Sequence, residues 1–494
     1  MASRTIERLP PEILIHCCSY LKGSILDIQN LRLTSKRFCN ASSNFLFDTL
    51  SIRITTKSIS TLEAVSNHPI FRKSITAIKL CLCFYGDIED QRARIRLIAE
   101  CDLHFNSIGW TVTRAFNSRQ RTVEAEQFNG ILFRICEIKQ ALSALKLEGA
   151  ETVSPSLDIA TLRVIANSIE KYKAQFADQQ VAIKHGTHLE RIGVALSRFR
   201  RLLSFKVLGN IETINKNNYR SCSMATILEW LNSDETCSNI ILNVMASRGQ
   251  YLAFDIEQRF AQSFKGIFSQ LSKHKIFPSV FAVELDAPKQ TQLFRPKKAE
   301  CDAIRSVVHK AEHLSFAVRW WSQQNPEFGF VISTDQHYEE IQHLASLTKA
   351  FFDTETVRSV DLDIRDYSLH TAPPHISLYR LLPDCEWPQL QALSLVAVPF
   401  HEQELRKTVD RHRNSLKILE MDGLQLLSGS WRGALRILRE LDKLEEVSWR
   451  WPTGGKHGNG SSEDDLIFHF SEKDVCQYLL KTKDAENPLG LGNV

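Results

Sequence analysis

The chain has 494 residues, 43% of them hydrophobic and 24% charged, with 61 Lys plus Arg against 57 Asp plus Glu. That composition excludes global disorder, and an excess of four positive charges on this length gives no concentrated basic face of the kind that binds nucleic acid. No window approaches 18 uninterrupted apolar residues, so no membrane-spanning helix is expected.

The twelve cysteines include no C-x-x-C pair. The closest neighbours are Cys17-Cys18 and Cys81/Cys83, so zinc-ribbon and thioredoxin spacings are absent. Residues Met1 to Arg8 hold no apolar stretch of secretory type and carry the acidic Glu7. The cysteines are therefore expected to stay reduced and to act as small core hydrophobes, in a cytoplasmic or nuclear protein.

Pro10 and Pro11 suit a first helical turn, where a missing N–H has no intrahelical partner, and Glu12 complements the dipole. Ile13, Leu14, Cys17, Cys18 and Leu21 follow as one apolar stripe, ended by Lys22-Gly23. Ser24 with Asp27 is a weak capping-box variant, and Ile25, Ile28, Leu31 and Leu33 supply a second apolar face. Phe38, Ala41, Phe45, Leu46 and Phe47 are the buried candidates of a third short segment. About 40 ordered residues bury too little apolar surface for a self-sufficient core, so surplus apolar side chains point to a partner.

Leu9-Pro10-Pro11-Glu12-Ile13-Leu14 together with Asn30-Leu31-Arg32-Leu33-Thr34-Ser35-Lys36-Arg37-Phe38 resembles an F-box, the helical module that docks on the Skp adaptor of cullin–RING ubiquitin ligases. The resemblance covers residues 6 to 50. It implies that Leu9, Pro10, Ile13, Leu14, Leu21, Leu31 and Leu33 contact the adaptor, with Phe38 where many relatives carry Trp.

Residues Phe47 to Thr55 alternate apolar and polar, the signature of a half-buried strand, and Ser58 to Phe71 reads as a helix. Ile75, Ile78, Leu80 and Cys83 then follow the L-x-x-L-x-L-x-x-N/C offsets of a leucine-rich repeat. The same offsets recur at Leu202, Phe205, Val207 and Asn210; Leu390, Leu393, Leu395 and Val398; Leu416, Leu419, Met421 and Leu424; and Leu444, Val447, Trp449 and Pro452. Chance alone matches four such positions at about 3% of starting points, so the weight lies in regularity: the last three sets start about 26 and 28 residues apart. Helices are predicted between them at Glu402 to His412 and Ser430 to Leu441, giving two to three degenerate repeats over residues 385 to 452.

Glu89 to Phe105, Val112 to Leu147, Leu157 to Phe176 and Val181 to Leu203 read as helix-rich. Ala287 to Lys298, Thr371 to His375 and Pro452 to Asp465 read as loops, the last one mobile. The expected fold class is mixed α+β or α/β: an F-box over residues 1–50, a repeat-like solenoid over 51–470 with helical insertions at about 85–205, and a C-terminal helix and tail over 471–494. Irregular repeats with helical insertions resemble fungal F-box proteins whose bodies are diverged leucine-rich repeats.

No H-E-x-x-H, G-x-S-x-G or G-x-G-x-x-G motif is present, and Gly454-Gly455-Lys456 lacks phosphate-loop spacing. His370 and His375 are the nearest approach to a metal pair and read as loop histidines. Trp320, Trp321, Phe316 and Arg319, and likewise Trp431, Trp449 and Trp451, are either core or interface anchors; a Trp on a strand of a curved repeat would project into the concave face. The expectation is a non-catalytic substrate receptor, without metal or cofactor. It would bind the Skp adaptor and through it cullin, present an unidentified protein substrate, and engage neither nucleic acid nor membrane. The alternative is a scaffold that binds the adaptor without promoting ubiquitylation.

Overall fold

The computed structural model describes residues 6, 9–89, 91–119, 125–146, 159–209, 223–249, 254–286, 295–319, 334–364, 377–455, 471–482 and 487–488. Three short helices open it: α1 (Pro11–Ser19), α2 (Ile25–Thr34) and α3 (Lys36–Ser42). Pro10 occupies the position before α1, and Gly23, at φ +107°, makes the turn into α2. The capping variant expected at Ser24 does not form, because its hydroxyl bonds the Asp27 carboxylate instead of accepting a backbone N–H. Ser35 does cap α3, accepting from the Phe38 N–H at 3.3 Å. Both α1 and α2 pack on α3 around Leu14, Cys18, Phe38 and Ala41, with Leu9, Leu31 and Phe45 against them.

Nine strands then build one parallel sheet: β1 (Thr49–Arg53), β2 (Ala77–Cys81), β3 (Ser204–Leu208), β4 (Val280–Asp286), β5 (His313–Arg319), β6 (Ser359–Asp363), β7 (Ala392–Val396), β9 (Ile418–Asp422) and β11 (Glu446–Arg450). They lie side by side in the order in which the chain reaches them. Three shorter strands, β8 (Pro399–His401), β10 (Gln425–Ser428) and β12 (Thr453–Gly454), form a second parallel sheet with β10 in the middle.

Every crossover between neighbouring strands from β1 to β9 carries helix, as parallel pairing requires. α4 (Thr56–Asn67) and α5 (Phe71–Ser74) join β1 to β2. The β2–β3 crossover holds α6 (Gln91–Arg119), α7 (Ala125–Lys146), α8 (Ile159–Lys184) and α9 (His188–Leu196), in the helix-rich stretch expected from the sequence. The next holds Met224–Asn232, Asp234–Gly249 and Phe254–Lys273, a second helical insertion that the sequence reading omits. The helix at Glu402–His412 matches its expected bounds, and the one expected over 430–441 spans Trp431–Leu438.

The register explains the hydrophobic offsets. Leu50, Ile78, Phe205, Phe281, Leu314, Val360, Leu393, Leu419 and Val447 stand in one row across the sheet. Two residues on, Ile52, Leu80, Val207, Val283, Phe316, Leu362, Leu395, Met421 and Trp449 form a second row on the same face, as the period of two demands. Both rows belong to a core shared with the crossover helices. Helices α6, α7 and α8 with Met224–Asn232 and Asp234–Gly249 close a second core around Phe105, Ile138 and Tyr172.

Each of the last three long strands ends in one left-handed residue: Ala397 (φ 54°) after β7, Gly423 (φ 63°) after β9 and Trp451 (φ 44°) after β11. That corner turns the chain into β8, β10 or β12. Thr453 and Gly454, expected in a mobile loop, are therefore paired with Gln425 and Leu426; residues 456–465 of that loop lie outside the described residues. So do 287–294 and 371–375 of the other two expected loops.

Candidate functional site

The eight residues assigned to adaptor contact divide by burial. Leu14 and Phe38 are buried, at 1% and 9% exposure, and Leu9 and Leu31 are half-buried beside them, so these four form the module's own core. Leu21 is half-buried. Pro10, Ile13 and Leu33 are exposed, Leu33 by 86%.

Helical geometry accounts for the division. At about 100° per residue, Leu33 lies roughly 140–160° around α2 from Ile28 and Leu31, so it cannot share their face. It shares a face with Leu26, seven residues earlier, which is 72% exposed. Ile25 (55%), Ile15 (37%) and, just beyond α1, Tyr20 (78%) add to the bare apolar surface. The sequence reading omits Ile15, Tyr20 and Leu26 as contact residues because it treats each helix as having one apolar face. The seven-residue interval from Leu26 to Leu33 is the signal that finds the second.

Polar contacts fix the module while leaving those faces bare. The Arg37 guanidinium donates to the Leu9 carbonyl at 2.7 Å, tying the segment before α1 to α3. Lys22 pairs with Asp48 at 3.4 Å, and Arg32 lies 5.9 Å from the centre of the Phe71 ring on α5, so the module is held to the first crossover. Burial, with the neighbouring Cys17, pushes the Cys18 thiol up, which makes it a packing group rather than a nucleophile. Burying two exposed leucines would be worth about 3–6 kcal/mol, against about 8 kcal/mol for a micromolar association.

The body offers less chemistry. Among the described residues no group of three or more His, Cys, Asp or Glu is placed to hold a metal ion. His370, His375, Trp320 and Trp321 lie outside the described residues. Phe316 is core, at 1% exposure. Of the two readings, core or interface anchor, Trp449 takes the first: it is 3% exposed and meets Trp431 edge-on at 5.3 Å, because its row faces the helices. Trp451 alone of the three is exposed, by 71%. Burial pushes the thiols of Cys237 and Cys385 up to about 11, so neither is a thiolate at neutral pH. On the sheet's other face, Ser315 donates to Asp361 at 2.8 Å, Ser394 to Glu420 at 3.2 Å, and Lys206 pairs with Glu284 at 2.9 Å.

No protein-family model matches the chain, and a search of the curated proteins finds no match. No helix among the described residues is long and apolar enough to cross a membrane.

Proposed function

We propose that the chain is an F-box protein: residues 6–50 dock on a Skp adaptor, and the body is a diverged leucine-rich-repeat solenoid that presents a captured protein to a cullin-based ubiquitin ligase. The observation that carries the reading is the second apolar face of the small module, where Leu26 and Leu33 stand exposed opposite the residues that close its core. A monomeric module of this size has no internal use for such a face, and a partner's apolar surface covers it. Within this reading Pro10, Ile13, Leu26 and Leu33 touch the adaptor, whereas Leu14 and Phe38 shape the surface from inside.

The strand order, identical to chain order, supports the solenoid part of the reading, as does the shared register of the repeat offsets. The protein's contribution to ubiquitin transfer is then tethering, which raises the target's local concentration to the order of mM and asks for no catalytic group. Such a protein works in the cytoplasm or nucleus. Co-purification from cells tests the assignment: tagged full-length chain should carry both Skp adaptor and cullin. Adaptor without cullin would leave the scaffold alternative, and neither would refute the reading.

A further inference from the structure

The chain's small excess of positive charge is unevenly placed. The long strands are parallel, so the turns that enter them share one edge of the sheet. Before β2, β3 and β4 these turns lie side by side: the Leu203 N–H donates to the Thr76 carbonyl at 2.8 Å, and the Val280 N–H to the Leu203 carbonyl at 2.9 Å. No Asp or Glu occurs in residues 71–76, 197–203 or 272–279. Arg72, Lys73, Arg200, Arg201 and Lys275 are exposed in them, and none of the five side chains has a hydrogen bond or ion pair among the described residues. At the spacing of paired strands, the first and third turns stand only about 10 Å apart.

The same edge is built differently farther along. There Arg411 bonds Asp384, Arg413 pairs with Asp442 at 2.8 Å, and Lys417 pairs with Glu445 at 2.6 Å, each acid standing on a neighbouring turn. Cations at this edge complement the C-terminal ends of the crossover helices, but that need is common to all the turns. It does not account for three adjacent turns without a single acid. Like charges this close repel one another, and an incoming polyanion relieves that repulsion.

We propose that these three turns are a docking surface for an acidic polypeptide segment, whose Asp and Glu carboxylates meet Arg72, Lys73, Arg200, Arg201 and Lys275. A width of about 10 Å matches roughly three residues of an extended chain. Leu203, 56% exposed at the start of β3, offers an apolar contact to a side chain interleaved with the acids. Single-stranded nucleic acid asks instead for open aromatic faces on which bases stack. The turns offer none: Phe199 is buried, Phe71 is covered by His68 and Arg32, and Phe277 by His309 and Lys310. The surface belongs to the body, and the proposal does not rest on the adaptor reading.

Fluorescence anisotropy of the full chain tests it, using a labelled Glu-Asp-Leu-Glu-Asp-Glu peptide, its Gln/Asn counterpart and an oligothymidylate of the same charge, at low salt, where the screening length exceeds the roughly 10 Å width of the surface. The acidic peptide should saturate and should bind more tightly than either of the other two. Arg200→Gln with Arg201→Gln, both exposed, should keep the wild-type melting behaviour and weaken the acidic peptide roughly tenfold, the worth of two exposed ion pairs. Arg413→Gln with Lys417→Gln, at the paired part of the edge, should leave its affinity unchanged. Absence of saturation, equal binding of the Gln/Asn peptide, or full affinity in the Arg200/Arg201 variant would overturn the proposal, leaving these cations as complements to helix ends alone. An oligothymidylate that binds as tightly as the acidic peptide would overturn it in favour of nucleic acid.

Discussion

Gln179 on α8 is 0% exposed and spends both ends of its carboxamide on the strand-like segment after β2. Its oxygen accepts from the Tyr85 N–H at 2.8 Å, and its nitrogen donates to the Cys83 carbonyl at 2.9 Å. Around it the Tyr172 hydroxyl accepts from the Gly86 N–H at 2.8 Å, and Tyr85 bonds Gln175. Together these contacts clamp the α6–α8 insertion onto the sheet. Gln179→Met keeps the volume and removes both bonds, leaving a buried N–H and a buried C=O unpaired. At about 1–3 kcal/mol for each orphan, the cost is roughly 2–6 kcal/mol, a large part of the 5–15 kcal/mol that ordinarily holds a domain together. Urea unfolding should record that loss, and hydrogen exchange should show the Tyr85 amide opening well before the β4–β6 amides. Gln140→Met, at an exposed position of α7, should cost under about 0.5 kcal/mol. A Gln179→Met variant within that same margin, with Tyr85 still protected, would refute the clamp.

Three further outcomes follow from single contacts. A Cβ at Gly433 would sit 2.5 Å from a Glu402 carboxylate oxygen, the group that accepts from the Ser430 N–H at 2.8 Å and so links successive crossover helices; Gly433→Ala should destabilise the C-terminal end, and Glu402→Ala in the same chain should recover part of the loss in thermal melts. Gly423→Ala meets no closer neighbour than 3.9 Å, so its cost should be only the left-handed strain, about 1 kcal/mol, while Ala397→Gly at the equivalent corner should cost less or stabilise slightly. His412, lowered to about 4 by burial first and by Arg411 second, binds its proton more readily unfolded than folded. Its contribution is therefore complete above about pH 6.5 and lost as pH falls toward 4, on the order of 3 kcal/mol by linkage. The stability difference between wild type and His412→Phe measured across that range should follow this slope; a pH-independent difference would contradict it.

The parts of the fold legible in the sequence are those where one offset pattern repeats without interruption. β7, β9 and β11 start about 26 and 28 residues apart and satisfy all four template positions, so periodicity alone locates them. β4, β5 and β6 fill the two inward positions equally well, with Phe281 and Val283, Leu314 and Phe316, Val360 and Leu362. One flanking position of each is charged, Asp286, Arg319 and Arg365, which a template asking for apolar residues rejects. The inward pair is what packing requires; the outer pair only shapes the corners. Met224–Asn232 and Asp234–Gly249 fold as helices that complete the second core, a tertiary role that no local period announces. At the module, the motif locates the surface and the seven-residue interval from Leu26 to Leu33 marks a second face of α2, but which face turns inward is set by how α1 and α2 lean on α3, which spacing within one helix does not report.

The most direct test of the central claim is calorimetric titration of the Skp adaptor into the full chain, wild type and Leu26→Asp with Leu33→Asp. Both leucines are exposed, at 72% and 86%, so the double variant should keep the wild-type melting behaviour. The account predicts saturable one-to-one binding by the wild type and a loss of roughly a hundredfold or more in the variant, from about 3–6 kcal/mol of forfeited burial. An adaptor that binds neither form, or binds both equally, would contradict it.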